Sequence, residues 1–153
     1  MDLLNQVKDT MELVEKISNE LGFPITKNDY IIQDLGCPHN APTKLEKDYA
    51  AIYMFWFNNE WLKIGKANQK SNARFTSQHY RISKHTVSSL SKSLSKDNYF
   101  LSLGFDPENP KDWVQENTHR INILIKAEKG KAATELIESI MHYKFRPRYE
   151  GAI

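Results

Sequence analysis

The feature that most constrains the fold is an apolar run at residues 49–57, followed at once by two asparagines and a second strand-like segment. The run reads YAAIYMFWF, and residues 60–66 read EWLKIGK. Asparagine tolerates the positive φ values that a two-residue hairpin turn requires, so Asn58-Asn59 is a suitable turn. The sequence therefore predicts a tight β-hairpin.

The other elements are predicted from apolar spacing and from turn residues. Apolar residues at helical spacing predict a helix over residues 2–21, which ends at Gly22, while residues 33–48, with two prolines and a glycine, are predicted to form a loop crossing toward the core. The pattern after the hairpin predicts helices over 72–81 and 86–95, a polar insert over 104–117, a strand over 119–127 and a helix over 131–145.

These elements predict an α/β (α+β) fold whose core has the order β-β-α-α-β-α. We expect a small three-stranded antiparallel sheet flanked by helices, preceded by an N-terminal helix. A chain of 153 residues with 40% apolar content favours one domain with a real core. Residues 1–48 would supply the N-terminal helix and crossing loop, and residues 49–153 the core unit.

Several features predict a cytoplasmic protein that does not span a membrane. No apolar run approaches the roughly 20 residues of a membrane span, and the N-terminus lacks the basic start and apolar centre of a signal peptide. Cys37 is the single cysteine, so no internal disulfide can form. The segment Cys37-Pro38-His39 supplies too few ligands for structural zinc, and loop packing is favoured for it.

Charge is distributed unevenly along the chain. Residues 61–96 contain eight lysines and arginines and no aspartate or glutamate, whereas residues 1–60 contain five basic and ten acidic residues. Most charge runs are solvated faces, but the absence of acids here favours an anionic partner such as a nucleic-acid backbone.

Four short motifs, taken together, resemble the GIY-YIG nuclease superfamily. They are Ala51-Ile52-Tyr53, Lys63-Ile64-Gly65, Arg74, and the segment LIESIMHYKFRPRYEG around Glu138. The resemblance covers residues 49–151, about two-thirds of the chain. It is carried by the order and spacing of the motifs, because each alone is common. The β-β-α-α-β-α order is also the core topology of that superfamily.

The sequence departs from the superfamily pattern at three positions. Lys63 stands where most members have Tyr, although a restriction-endonuclease branch shares this KIG variant. Glu150 stands where an Asn usually follows the PRY-like ending, and Gln78 stands where His or Tyr is common. His79 and Tyr80, which follow Gln78, are the candidate substitutes, and His79 is the favoured one.

The resemblance implies roles for the matching residues in phosphodiester hydrolysis. Tyr53 would be the general base, and a nearby cation such as Lys63 would make its proton easier to lose. Arg74 would hold phosphate oxygens and stabilise the transition state. Glu138 would hold one Mg²⁺ or Mn²⁺ ion per active site. Considered alone, Tyr53 is typical of a core tyrosine and Glu138 of a solvated helix carboxylate.

The sequence thus predicts a metal-dependent endonuclease, with double-stranded DNA the expected substrate and RNA left open. A restriction or other defence role follows only from analogy with the KIG branch. The alternative is a catalytically drifted nucleic-acid-binding or interaction module. One cutting centre per chain would favour a homodimer for double-strand breaks. The expected backbone contacts are Lys66, Lys70, Arg81, Lys84, Lys92 and Lys96.

Overall fold

The computed structural model describes residues 2–86 and 88–149, which form a mixed α+β fold around a four-stranded antiparallel sheet. The strands are β1 (Tyr30–Gly36), β2 (Tyr49–Phe57), β3 (Glu60–Ala67) and β4 (His119–Lys126). The α-helices of these residues are α1 (Leu3–Glu20), α2 (Asn72–Thr76), α3 (Leu90–Ser95), α4 (Asn98–Ser102), α5 (Pro110–Asn117) and α6 (Lys131–Phe145). No helix among the described residues has both the length and the apolar character needed to cross a membrane.

The sheet has one strand more than predicted. Its order is β1-β4-β2-β3, and β1 pairs with β4 from Tyr30 opposite Ile125 to Asp34 opposite Ile121. The prediction of three strands was wrong because residues 33–36, predicted as the start of a loop, belong to β1. The N-terminal segment therefore contributes a strand to the same sheet as the hairpin.

The predicted hairpin is confirmed. Asn58 and Asn59 have φ values of 45° and 67°, the positive pair that a two-residue turn requires. The register shifts between Phe55 and Trp56, because Phe55 is opposite Lys63 whereas Trp56 is opposite Trp61. This irregularity leaves one extra residue in β3 and sets which face its later residues occupy.

Helices cover both faces of the sheet. On one face, α1 and α6 pack over Ile52, Met54 and Ile123, all fully buried. On the other face, the segment between β3 and β4 packs Leu90 and Phe100 against the sheet. Burying a large apolar side chain contributes about 1.5–3 kcal/mol, so both layers stabilise the sheet.

The segment between β3 and β4 departs most from the prediction. The helix predicted over 72–81 is divided into α2 and a 3-10 turn at Gln78–Tyr80, and the helix predicted over 86–95 is only α3. A helix that was not predicted, α4, begins after Asp97, whose side chain accepts from the Tyr99 N–H. The predicted polar insert over 104–117 contains α5, which starts at Pro110, a favoured first helical residue.

Candidate active site

A cleft of about 560 Å³ lies beside the edge strand β3, between α2 and α6. Five residues from the predicted catalytic and phosphate-contact groups line it, although they are far apart in sequence. These residues are Tyr53, Lys63, Lys66, Arg74 and Glu138.

Tyr53 forms the buried floor of the cleft, with only 5% of its surface exposed. It lies opposite Gly65 in the β2–β3 pair. A Cβ atom placed on Gly65 would overlap the hydroxyl and ring of Tyr53. Because Gly65 has no side chain, the Tyr53 ring can occupy the space where a side chain at position 65 would lie.

The environment of Tyr53 favours the neutral phenol. Burial raises the pKa of Tyr53 to about 12. Arg74 lowers this pKa, Glu138 raises it, and Arg120, the smallest of the four contributions, lowers it. The cations that lower the pKa of Tyr53 are Arg74 and Arg120, and the expected role of Lys63 in easing loss of this proton stays a prediction. At pH 7 the unliganded protein therefore holds Tyr53 protonated.

Lys63 is an unusually buried lysine, with 8% of its surface exposed. Its Nζ atom donates to the Ser88 hydroxyl at 3.1 Å. Burial, and then repulsion from Arg74, lowers the pKa of Lys63, while Glu138 opposes this shift. Lys63 therefore gives up its proton more readily than an exposed lysine does.

Glu138 reaches the cleft from the middle of α6, and its side chain is 24% exposed. Its carboxylate lies 3.6 Å from the Lys66 Nζ atom, which is also 3.6 Å from Glu135 on the same helix. Within residues 2–86 and 88–149, no three His, Cys, Asp or Glu side chains are grouped to hold a metal ion. One carboxylate still suits Mg²⁺, which retains several waters when bound.

His142 lies one helical turn after Glu138 and also lines the cleft. Its Nε2 atom is 2.6 Å from the Ile64 carbonyl oxygen, so this nitrogen carries a proton and donates it. The bond ties α6 to β3.

Arg74 is exposed at the cleft rim, on the short helix α2. Gln78, one turn later, lines the cleft and donates to the Ser88 carbonyl at 2.9 Å. Gln78 and Lys63 therefore both bind Ser88 and hold it at the cleft wall.

His79, predicted as a catalytic candidate, does not line the cleft. It is fully buried, and its Nδ1 atom accepts from the Leu90 N–H at 2.9 Å. Its ring packs edge-on against Tyr53, with the centroids 4.4 Å apart. His79 is therefore placed to support the tyrosine ring from inside the protein.

The remaining predicted cations divide by exposure. Lys92 is half-buried and donates to the Thr86 carbonyl at 2.9 Å, which reduces its freedom to meet a ligand. The exposed members of this set are Lys70, Arg81, Lys84 and Lys96.

Tyr149 is a cleft residue that the sequence did not single out, although it belongs to the PRY-like ending. Its hydroxyl donates to Asp97 at 2.6 Å, and its backbone N–H donates to the Leu62 carbonyl of β3. Arg148 adds bonds to Asp97 and Glu60. The following residue, Glu150, lies outside the described part of the chain.

Comparisons of the chain with family models, with curated proteins and with solved structures found no match. The basis for a functional proposal is therefore the geometry of the cleft and the motifs of the sequence.

Proposed function

We propose that the chain is a divalent-metal-dependent endonuclease of the GIY-YIG type, in its KIG variant, that hydrolyses phosphodiester bonds in double-stranded DNA. The observation that supports this most is the position of Tyr53, Lys63, Arg74 and Glu138 around one cleft. These residues come from β2, β3, α2 and α6, and they are the same four residues whose spacing along the chain resembles the superfamily pattern.

Hydrolysis requires a water whose proton is removed as its oxygen bonds to phosphorus and the bond to the leaving oxygen breaks. Tyr53 accepts that proton only when it is already a phenolate. Lys63 lies two residues from Gly65, diagonally across the hairpin from Tyr53, so a long side chain there is within reach. In its neutral form, which burial favours, Lys63 would accept the phenol proton.

Positive charge at the cleft stabilises the phosphorane-like transition state. Arg74 is exposed and can present two N–H groups to phosphate oxygens. Glu138 would hold the Mg²⁺ or Mn²⁺ ion, which when bound supplies further positive charge at the phosphate. Lys66, beside Glu138, would shift from its carboxylate partners toward the nucleic-acid backbone.

The direct test compares two neighbouring carboxylates on α6. Both Glu135 and Glu138 lie 3.6 Å from Lys66, but only Glu138 is among the described cleft residues. Glu138→Gln should reduce Mg²⁺-dependent cleavage of supercoiled and linear DNA by about 100-fold or more, whereas Glu135→Gln should cleave nearly as well as wild type. Equal cleavage by the two variants, or no cleavage by wild type on DNA or RNA substrates, would contradict the proposal.

A second candidate is a nucleic-acid-binding module on the same fold without catalysis. The raised pKa of Tyr53, about 12, favours this candidate because a protonated phenol is not a base. Binding that weakens steeply with salt, combined with the absence of metal-dependent cleavage, would establish it.

A further inference from the structure

Arg120 is a fully buried arginine on β4, and it belongs to none of the sequence motifs. Each of its side-chain nitrogens has a neutral hydrogen-bond partner. Nε donates to the Asn122 side-chain oxygen at 2.8 Å, Nη1 to the Tyr80 hydroxyl at 2.9 Å, and Nη2 to the Phe75 carbonyl at 2.7 Å.

Among the described residues, no carboxylate pairs with Arg120. Burying a charge without a counter-charge is costly, and replacing even a buried ion pair by apolar residues of similar volume is often neutral or stabilising. A purely structural need at this position could be met by an uncharged side chain. An electrostatic role would account for a charge at this buried position.

The guanidinium lies among four aromatic rings. Its central carbon is 5.0 Å from the ring centre of Phe55, 5.1 Å from Phe75, 5.8 Å from Tyr80 and 5.9 Å from Tyr53. Among these four, Tyr53 is the one that lines the cleft. Arg120 therefore places a fixed positive charge behind the residue proposed to be the base.

A series of hydrogen bonds holds the Arg120 guanidinium in place. His39 donates from Nδ1 to the Thr118 carbonyl at 2.9 Å, and its Nε2 lies 2.8 Å from the Tyr80 hydroxyl. Burial lowers the pKa of His39 to about 4, so the ring is neutral at pH 7 and its Nε2 accepts from Tyr80. The Tyr80 oxygen is then oriented to accept from Arg120.

We propose that Arg120 is a positioning residue for phosphodiester cleavage, whose buried charge stabilises the negative charge on the Tyr53 oxygen when this residue acts as the base. The inference rests on the proposed endonuclease function. Within the described part of the chain, the other charged or titratable groups that line the cleft with Tyr53 or pack against its ring are Arg74 from α2, Lys63 and Lys66 from β3, Glu138 and His142 from α6, His79 from the 3-10 turn, and His85 and Tyr149.

The test measures Tyr53 itself. Incorporating 3-fluorotyrosine at position 53 lowers the phenol pKa into a range where the folded protein can be titrated, and ¹⁹F NMR then reports that pKa. The guanidinium carbon is 5.9 Å from the Tyr53 ring centre, so at an effective dielectric constant of about 20 the loss of this charge should raise the pKa of Tyr53 by about one to two units in Arg120→Gln. Arg120→Lys, which retains the charge, should stay closer to wild type.

Tyr80→Phe is the matched structural control, because it removes one bond of the network and keeps the charge. It should lower the melting temperature and leave the pKa of Tyr53 nearly unchanged. If Arg120→Gln does not fold, citrulline introduced at position 120 by peptide ligation keeps most of the shape and donors without the charge, and should raise the pKa equally.

The cleavage rate tests the consequence of that shift. At pH 7 the phenolate fraction, and with it the rate, should fall by about 10- to 100-fold in Arg120→Gln, and the alkaline rise of the pH profile should move upward by the same interval. An unchanged pKa of Tyr53 in the uncharged variants would overturn the inference. If wild type does not cleave nucleic acid, the endonuclease proposal fails, and the NMR titration still shows whether Arg120 acts on Tyr53.

Discussion

Gly65→Ala should displace the Tyr53 ring from its position in the cleft while the protein stays folded. An alanine Cβ would lie within 2.5 Å of two Tyr53 ring carbons and would also overlap the hydroxyl. Because ring atoms are involved, rotation of the hydroxyl cannot relieve the overlap. Ordinary contact begins near 3.4 Å, so the ring must move by about 1 Å.

The size of that displacement determines the expected loss of stability and the expected loss of cleavage activity. Overpacking of this kind costs about 1–3 kcal/mol, which for a chain of this length corresponds to a decrease of about 2–12 °C in melting temperature. A misplacement of about 1 Å of a catalytic group can reduce a rate by about 100-fold. Gly65→Ala should therefore remain folded at about 25 °C while losing most DNA cleavage.

The matched control is Gly22→Ala, at the end of α1. Gly22 has a φ of 89° and nothing within 4 Å of an added Cβ, so alanine there is strained by about 1 kcal/mol without touching the cleft. Thermal unfolding and plasmid cleavage should show two destabilised proteins, of which only Gly65→Ala is inactive.

A double-mutant cycle tests the physical reason for the effect. In a Tyr53→Ala background, the methyl group added by Gly65→Ala contacts no ring. The loss of unfolding free energy caused by Gly65→Ala should therefore be about 1–3 kcal/mol smaller than in the wild-type background. If the stability costs of Gly65→Ala and Tyr53→Ala simply add in urea unfolding, the overlap is not the cause and the reasoning is refuted.

Two further predictions concern His39 and the exposed lysines. The folded pKa of His39 is about 4, against an ordinary histidine pKa of 6.5, so the unfolded chain binds a proton first as the pH falls. The free energy of unfolding should therefore decrease by about 2–3 kcal/mol between roughly pH 6.5 and 4, measured by urea unfolding, and His39→Gln should flatten this dependence. An equal pH dependence in both proteins would contradict the assignment. Removing Lys84 or Lys96 should each reduce the slope of log affinity against log salt by about 0.9 for double-stranded DNA, with cleavage at saturating DNA retained. Lys8→Ala on α1 is the control, and an identical slope in all three variants would count against a backbone contact.

Much of the fold could be predicted because local signals and tertiary packing agree. The Asn58-Asn59 turn requires positive φ, and the chain adopts it. The predicted helix over 131–145 has the observed bounds of α6, which follows Gly130. These elements have strong periodicity and clear ends, so their sequences alone identify them.

The elements that were missed have weak local signals. The strand β1 gains its strand conformation by pairing with β4, a contact between residues about 90 positions apart that no local pattern reports. The division of the predicted helix over 72–81 follows from packing of His79 and Tyr80, both buried, against the sheet. Tertiary contacts override helix propensity there.

The candidate site likewise contains residues that the sequence identifies and one, Arg120, that it does not. Tyr53, Lys63, Arg74 and Glu138 could be selected because their spacing resembles a known pattern, and they line one cleft. Arg120 could not be selected, because an arginine at the start of an apolar strand is typical of a solvated strand end. Its importance depends on burial and on partners from distant segments.

The cleft also depends on how the edge of β3 is covered. The outer edge of an antiparallel sheet presents unpaired backbone groups, which proteins protect against pairing with other chains. Here the Arg148 and Tyr149 N–H groups donate to Trp61 and Leu62 of β3, and His142 donates to Ile64.

The residues that protect this edge also build the cleft wall, since Tyr149 and His142 both line it. Detaching the segment that carries Tyr149 would expose part of the β3 edge and remove one side of the site in the same step. Order at the candidate active site and resistance to edge pairing are therefore physically coupled. Substitutions that weaken the attachment should impair both, even where they touch none of the catalytic candidates.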